Sequence, residues 1–386
     1  MSATVRPMTP RDRVLAAVRR EPVDYVPCAP FFSHLTEVQR RGKPWNYPWK
    51  PDEDSRDYLI NVLGVDPVVE IGWWDGAYCP ADGVTAGVWK EGEVLHKTYE
   101  TPSGELHAAV EASELWPFGD NIPLYHDFVG HYREPWLQTE ADLECLRHVI
   151  LPPRTDAQVE AARAVVRERK ALADSLNLPT MASIGLGLTA ALMACGAEQI
   201  CTMVIDNPDL VDGFLELEHQ CSVRLMEIAS EAGVDIIRRN GFYETGDFYS
   251  PAMLERFLGN RLRAEVEAIH AGGALAAYTV HSGIMPMLDY LDGIDFDCII
   301  HLDIGFEDID AHAVDAKLGA RKSFWTGPSS TFHMYARDPK DVRQAVRNVF
   351  AAFGKTGLLL AAVSSTHPMM PWENTLAMID EWRKLR

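Results

Sequence analysis

Leu275-Ala276-Ala277-Tyr278-Thr279-Val280-His281-Ser282-Gly283 is an apolar run that ends in an imidazole, a hydroxyl and a glycine. A strand buried on both faces has this composition, and a polar side chain at its end marks where a barrel enzyme does its chemistry. The arrangement recurs at Ala361-Ala362-Val363-Ser364-Ser365-Thr366-His367.

Outward from these two runs lie others of the same kind. Eight strands are predicted: Val26–Phe31, Pro67–Gly72, Thr180–Gly185, Val234–Arg239, Leu275–His281, Phe296–His301, Lys322–Gly327 and Gly357–Val363. Several are rich in Val, Ile, Leu or Ala over about 5–7 residues. Helical patterns separate most of them, at Pro208–Gly233, Pro251–Gly272, Asp308–Gly319 and Pro339–Gly354, nearly all closed by a glycine. Strand and helix alternating eight times predict a (β/α)8 TIM-type barrel spanning 1–386 as a single domain.

One segment breaks the alternation. Residues 88–136 read as a β-rich insertion, with polar strands over Val88–Ala112 turning at Glu91-Gly92 and Ser103-Gly104. Seven of the ten tryptophans lie at or before Trp136, among them Trp73 and Trp74. Because barrel insertions cluster on βα loops, this one is expected to fold over the barrel mouth.

Composition narrows the partners. The chain of 386 residues carries a net charge of −20, which argues against nucleic acid or an anionic membrane and leaves a small-molecule substrate. No apolar run approaches the ~18 residues of a membrane span. The seven cysteines are dispersed without a C-x-x-C pair, so reduced thiols and a cytoplasmic location are expected.

Several constellations are chemically suggestive. Gly185-Leu186-Gly187-Leu188-Thr189-Ala190 matches the G-x-G-x-x-A dinucleotide fingerprint. No strand ending in an acidic residue follows closely, so glycines easing close packing are the preferred reading. The loop after the fourth strand, Arg238 to Pro251, gathers arginines, carboxylates and aromatics. There Arg238 or Arg239 is expected to clamp a substrate carboxylate, and Glu244 or Asp247 to act as a general acid or metal ligand. Tyr243 joins Trp73, Trp74 and His333 as expected substrate contacts. His281, His301, His333 and His367 follow four successive strands and are expected to converge, His281 as a catalytic residue.

Thr9-Pro10-Arg11-Asp12-Arg13-Val14-Leu15, Pro22-Val23-Asp24-Tyr25-Val26-Pro27, Glu231-Ala232-Gly233-Val234-Asp235, Ser250-Pro251, His281-Ser282-Gly283, Lys317-Leu318-Gly319, Thr326-Gly327 and Pro371-Trp372-Glu373-Asn374 occur in this order. Together they resemble the uroporphyrinogen decarboxylase superfamily, barrels that include the decarboxylase and corrinoid-linked methyltransferases. Two departures shape what the resemblance implies. The decarboxylases carry R-Q-A-G-R after the first strand, where this chain has Phe31-Phe32-Ser33-His34-Leu35-Thr36-Glu37-Val38-Gln39-Arg40-Arg41. The zinc methyltransferases carry H-x-C after the fifth strand and a further Cys after the eighth, where this chain has His281-Ser282-Gly283 and Ser364-Ser365-Thr366-His367.

The resemblance therefore implies a methyltransferase that demethylates a small methoxylated or methylated substrate and passes the methyl group to a corrinoid protein. A zinc ion in that setting would have oxygen and nitrogen ligands, for which Glu244, His281 and His367 are the candidates. A homodimer is a further expectation. The alternatives are a carboxy-lyase acting on a carboxylated substrate and a degenerate ligand-binding barrel.

Overall fold

The computed structural model describes residues 7–30, 58–72, 77–114, 116–335, 338–363 and 370–386; Trp73, Trp74, His367 and the 31–41 segment lie outside them. Seven parallel strands form one curled sheet in the order β1 (Val69–Gly72), β6 (Thr180–Ser183), β7 (Ile236–Asn240), β8 (Leu275–Thr279), β9 (Cys298–Ile300), β10 (Ser323–Thr326) and β11 (Leu358–Leu360). The first predicted strand, which begins at Val26, closes the ring through a few backbone bonds. Ala29 donates to Leu360 and Leu360 to Pro27, while Asp66 donates to Cys28 on the other side. The result is a TIM-like barrel, with each predicted strand at its place in the ring.

Side-chain alternation divides the interior from the wall. Met181, Ile236, Ala277, Cys298, Ile300, Trp325, Leu359 and Ala361 fill the lumen. Val14, Ala17 and Val18 of the first helix, Pro10–Val18, join the same cluster and plug one end. That helix is latched by Arg13, which donates to Asp24 at 2.6 Å and to Asp66 at 2.5 Å. Asp66 also accepts the Cys28 amide at 3.2 Å, so one guanidinium ties the plug to the closing segment. Burial pushes the Asp66 carboxyl up to about 6, with Arg13 opposing.

The insertion is a four-stranded antiparallel sheet, β2 (Thr85–Glu91), β3 (Val94–Thr101), β4 (Gly104–Glu111) and β5 (Tyr132–Glu134). Both predicted turns fall where expected. The sheet starts three residues earlier than predicted and gains β5, a strand of three residues. Asp127 of the insertion hydrogen-bonds Tyr243, just past β7, and Leu137 donates to Ala194, which sets the insertion against the mouth side of the barrel.

The wall beside β7 holds an ion-pair network that absorbs two of the expected site residues. Arg239 is 1% exposed and faces outward from the strand. It donates to Glu265 at 3.0 Å and to both oxygens of Glu244 at 3.0 and 3.2 Å. Glu244 also accepts from the Tyr278 hydroxyl at 2.5 Å and the Leu188 amide at 2.8 Å. Its carboxylate is thus fully engaged within the wall, which corrects the expectation of a catalytic acid or metal ligand. Arg239 is likewise a wall residue rather than a substrate clamp. Burial raises the Glu244 carboxyl above its usual range against the pull of Arg239.

The fingerprint loop belongs to the same network. Leu186 and Gly187 donate their amides to Glu218, and Leu188 donates to Glu244. The anion site of a dinucleotide loop is therefore filled by the protein's own carboxylates. A Cβ at Gly187, whose φ is +53°, would lie 2.1 Å from the Arg239 guanidinium, so this glycine serves close packing.

Two variants test these roles by chemical denaturation. Arg13→Met is expected to cost about 3–5 kcal/mol at neutral pH by stranding a buried carboxylate. Because the folded Asp66 carboxyl binds its proton more tightly than an unfolded one, its stabilising effect is present below pH ~4 and is lost as pH rises through about 6. The Arg13→Met penalty should therefore deepen as pH rises above about 6, where the wild-type carboxyl ionises beside Arg13 and the stranded one does not. Glu244→Gln should cost roughly 3 kcal/mol, whereas exposed Asp247→Asn should change stability by about 0.5 kcal/mol or less. Equal penalties for the two carboxylates would reject this assignment.

Candidate functional site

The mouth is built from inward-facing residues at the C-terminal strand ends. On β7 the alternation that sends Arg239 into the wall turns Ile236, Arg238 and Asn240 into the lumen. Arg238 is 6% exposed and donates through Nε and Nη2 to Ser183 Oγ of β6, at 3.1 and 2.7 Å. Its Nη2 is 3.8 Å from Glu70 of β1. Burial draws this guanidinium below its usual value, with Glu70 opposing.

On β8 the inward positions are Ala277, Thr279 and then His281, just beyond the strand. Burial lowers the His281 imidazole, and the carboxylates of Asp303 and Asp247 oppose it. The structure thus brings His281 together with Asp247, which the loop after β7 carries. Asp247 accepts from Ser282 Oγ at 2.6 Å, and Gly246 donates its amide to Gly283 at 3.1 Å.

Gly283 occupies the position at which the zinc methyltransferases carry cysteine. Its φ is +59°, and a Cβ there would lie 2.7 Å from the Asp247 amide nitrogen and 2.9 Å from Oδ1. The loop contact that positions Asp247 leaves no space for a thiolate. Of the expected set Glu244, His281 and His367, the structure holds Glu244 in the wall and His281 at the mouth, and His367 lies outside the described residues. No group of three or more His, Cys, Asp or Glu among the described residues is placed to share a metal ion.

His301, one of the four imidazoles expected to converge, was given no role of its own. It follows β9 directly, is 3% exposed, and adopts φ +67°, a left-handed conformation rare for a side chain of its size. Burial depresses its imidazole well below the usual value, and Arg238 and His281 add to the effect. Backbone strain of this kind costs about 1–3 kcal/mol and persists where the surroundings enforce it, often at functional sites. Phe242 lies nearly parallel to the His301 ring at 6.2 Å.

Of the remaining expected contacts, Tyr243 and His333 are described and lie around the rim. Tyr243 bonds Asp127, and burial together with that carboxylate pushes its phenol up to about 12. His333 sits in the π-turn Ser330–Met334, where its Nδ1 accepts the Ser329 amide at 3.0 Å. Ser329 in turn donates to Asp303 at 2.7 Å, so His333 reaches the mouth only through that pair. Phe248, Phe332 and Tyr335 are 37%, 49% and 44% exposed. Phe306 joins His281 to Phe332 by edge-to-face contacts at 6.2 and 5.1 Å.

Among the described residues the mouth therefore combines one guanidinium, two imidazoles disfavouring protonation, carboxylates beside His281 and the edges of Phe306 and Phe332. Ser183, Glu70, Asn240 and Thr279 were absent from the expected set. Period-two alternation applied to Ile236–Asn240 and Leu275–His281 would have selected Asn240 and Thr279.

Among the described residues no single helix is long and apolar enough to cross a membrane. Among solved structures, a methyltransferase from Methanosarcina mazei is similar in fold, with a TM-score of 0.62 at 16% identity over 98% of this chain and 99% of that one. A B12-independent methionine synthase from Shewanella sp. W3-18-1, in complex with selenomethionine, gives a TM-score of 0.42 at 13% identity over 60% of this chain and 68% of that one. No curated protein matches the sequence. The family model for uroporphyrinogen decarboxylase matches residues 125–385, which contain the barrel from β6 through β11 and every described residue of the mouth except Glu70. The chain belongs to the uroporphyrinogen decarboxylase (URO-D) family.

Proposed function

We propose that the protein is a methyltransferase that takes a methyl group from a small, anionic, methoxylated substrate in the barrel mouth and passes it to a corrinoid on a separate protein. The observation that carries this reading is the division of labour between adjacent arginines. Arg239 is spent in the wall, which leaves Arg238 as the guanidinium at the mouth among the described residues. One guanidinium suits a substrate with a single carboxylate, whereas a porphyrinogen presents many. The overall likeness to a methyltransferase fold and the exposed rings of Phe248, Phe332 and Tyr335 support an approach by a flat, largely apolar cofactor.

In this reading Arg238 orients the carboxylate and His281 handles the proton. The C–O bond of the methyl ether breaks with its electron pair moving to oxygen, which takes a proton from the His281 imidazolium. The methyl carbon forms its new bond to the corrinoid, with both electrons supplied by cobalt(I). Asp247 and Asp303 support the imidazolium that burial disfavours. His301, more strongly depressed and beside Arg238, remains the neutral neighbour.

Incubation with cob(I)alamin and a panel of methoxylated acids should yield methylcobalamin, followed by its absorbance. Because burial holds His281 below the ordinary 6.5, imidazolium is its minor form at pH 7. The rate should therefore rise as pH falls from 8 toward 6. His281→Asn should abolish that rise and slow turnover by roughly 10²–10⁴-fold. No methylcobalamin from any donor, with carbon dioxide released from a carboxylated substrate instead, would favour the carboxy-lyase.

A further inference from the structure

Two polar side chains on the inner face of the mouth have no structural task. Asn240 is fully buried at the end of β7, and neither its amide nitrogen nor its amide oxygen has a hydrogen-bond partner among the described residues. Thr279, equally buried at the end of β8, has an Oγ1 with no partner among the described residues. The two are register partners in the parallel pair, and both follow the inward alternation set by Ile236 and Ala277. Each unsatisfied buried group costs about 1–3 kcal/mol relative to an apolar side chain of the same shape. Chance placement of two such residues side by side, at the ends of adjacent strands and on the lumen face, is a poor explanation.

We infer that Asn240 and Thr279 are specificity residues that hold a hydroxyl group of the substrate. The inference rests on the reading of the mouth as the substrate site and names the substrate class more narrowly. An amide offers a donor and an acceptor, and a threonine hydroxyl offers either role, so together they match a hydroxyl group, which also gives and accepts. The anion-binding end lies on the other side of β7, where Arg238 reaches Ser183 of β6. Neighbouring strands are about 4.8 Å apart. The two ends of the site therefore receive different groups of one molecule, and the class indicated is a small hydroxycarboxylate. In methyl transfer such a compound retains its hydroxyl and carboxylate, which orient the methoxyl group between them.

Binding of paired acids tests this without reference to turnover. The probes are 4-hydroxybenzoate against benzoate, malate against succinate, and lactate against propionate, titrated calorimetrically into the intact protein. In at least one pair the hydroxylated acid should bind roughly ten-fold or more tightly, the equivalent of one satisfied hydrogen bond. Thr279→Val and Asn240→Leu should bring that ratio close to one while leaving the deoxy acid's affinity unchanged. Thr279→Ser, which keeps the hydroxyl, should preserve the ratio. The unliganded Val and Leu variants should melt at or above the wild-type temperature, because each loses an unsatisfied group; a structural role predicts a lower melting temperature with the ratio intact. Arg238→Gln should weaken both members of a pair. Acids that bind with no preference for the hydroxyl would overturn the assignment of Asn240 and Thr279 and leave the Arg238 reading standing. If none binds, the anionic-substrate reading falls and this inference falls with it.

Discussion

The two faces of β7 carry the constraint on which the site depends. Adjacent residues of a strand point in opposite directions, so Arg238 and Arg239 cannot share a task. Arg239 enters a wall where charge would be prohibitive without partners, and Glu244 and Glu265 supply them. His219 Nδ1 lies 2.8 Å from Glu265, and Tyr278 donates to Glu244 while its ring stacks on Phe296 at 4.6 Å. The glycines at 185 and 187 follow from the same requirement, since a Cβ at Gly185 would lie 2.8 Å from the Arg239 side chain. A buried ion pair of this kind adds little net stability compared with apolar packing, but removing one partner is severe. It fixes the β7 loop rigidly, and that loop delivers Asp247 to the mouth.

Among the described residues of the mouth the electrostatics follow from one retained cation, Arg238. A guanidinium does not lose its charge, so Arg238 acts on every titratable neighbour in the same direction. It helps keep His301 neutral, whereas the carboxylates of Asp247 and Asp303 moderate the same burial effect at His281. Two imidazoles at the ends of neighbouring strands thus receive different biases. Such divergence separates acid and base roles in sites that use more than one titratable group.

The barrel was legible in the sequence because its strands are buried on both faces and therefore read as unbroken apolar runs. The turns at Glu91-Gly92 and Ser103-Gly104 were legible for their local chemistry. The short β5 was not, because three residues with two charges carry no strand pattern and its pairing depends on the sheet already present. The site was only partly legible. Glu244 and Asp247 stand three residues apart in one loop, and composition assigns both the same chemistry; only the fold shows that one closes a wall network and the other faces the mouth. Asn240 and Thr279 were hidden for a different reason. A polar residue at the end of an apolar run normally reads as a strand boundary, and its unsatisfied state exists only in three dimensions.

Glycine at position 283 shows how a departure from a family pattern can have a steric cause. A side chain there and the contact between residues 246–247 and 283 are mutually exclusive, because a Cβ would overlap the Asp247 amide. A chain with cysteine at this position would have to release the loop and with it the Ser282–Asp247 hydrogen bond. A chain with glycine keeps the loop down and gains a carboxylate near the imidazole two residues earlier. The exchange replaces a soft sulfur ligand with a hard oxygen acceptor that acts on His281 through its field. The chemistry favoured by that exchange is proton transfer rather than sulfur ligation, in line with the roles proposed for Arg238, Asn240 and Thr279 on the same inner wall.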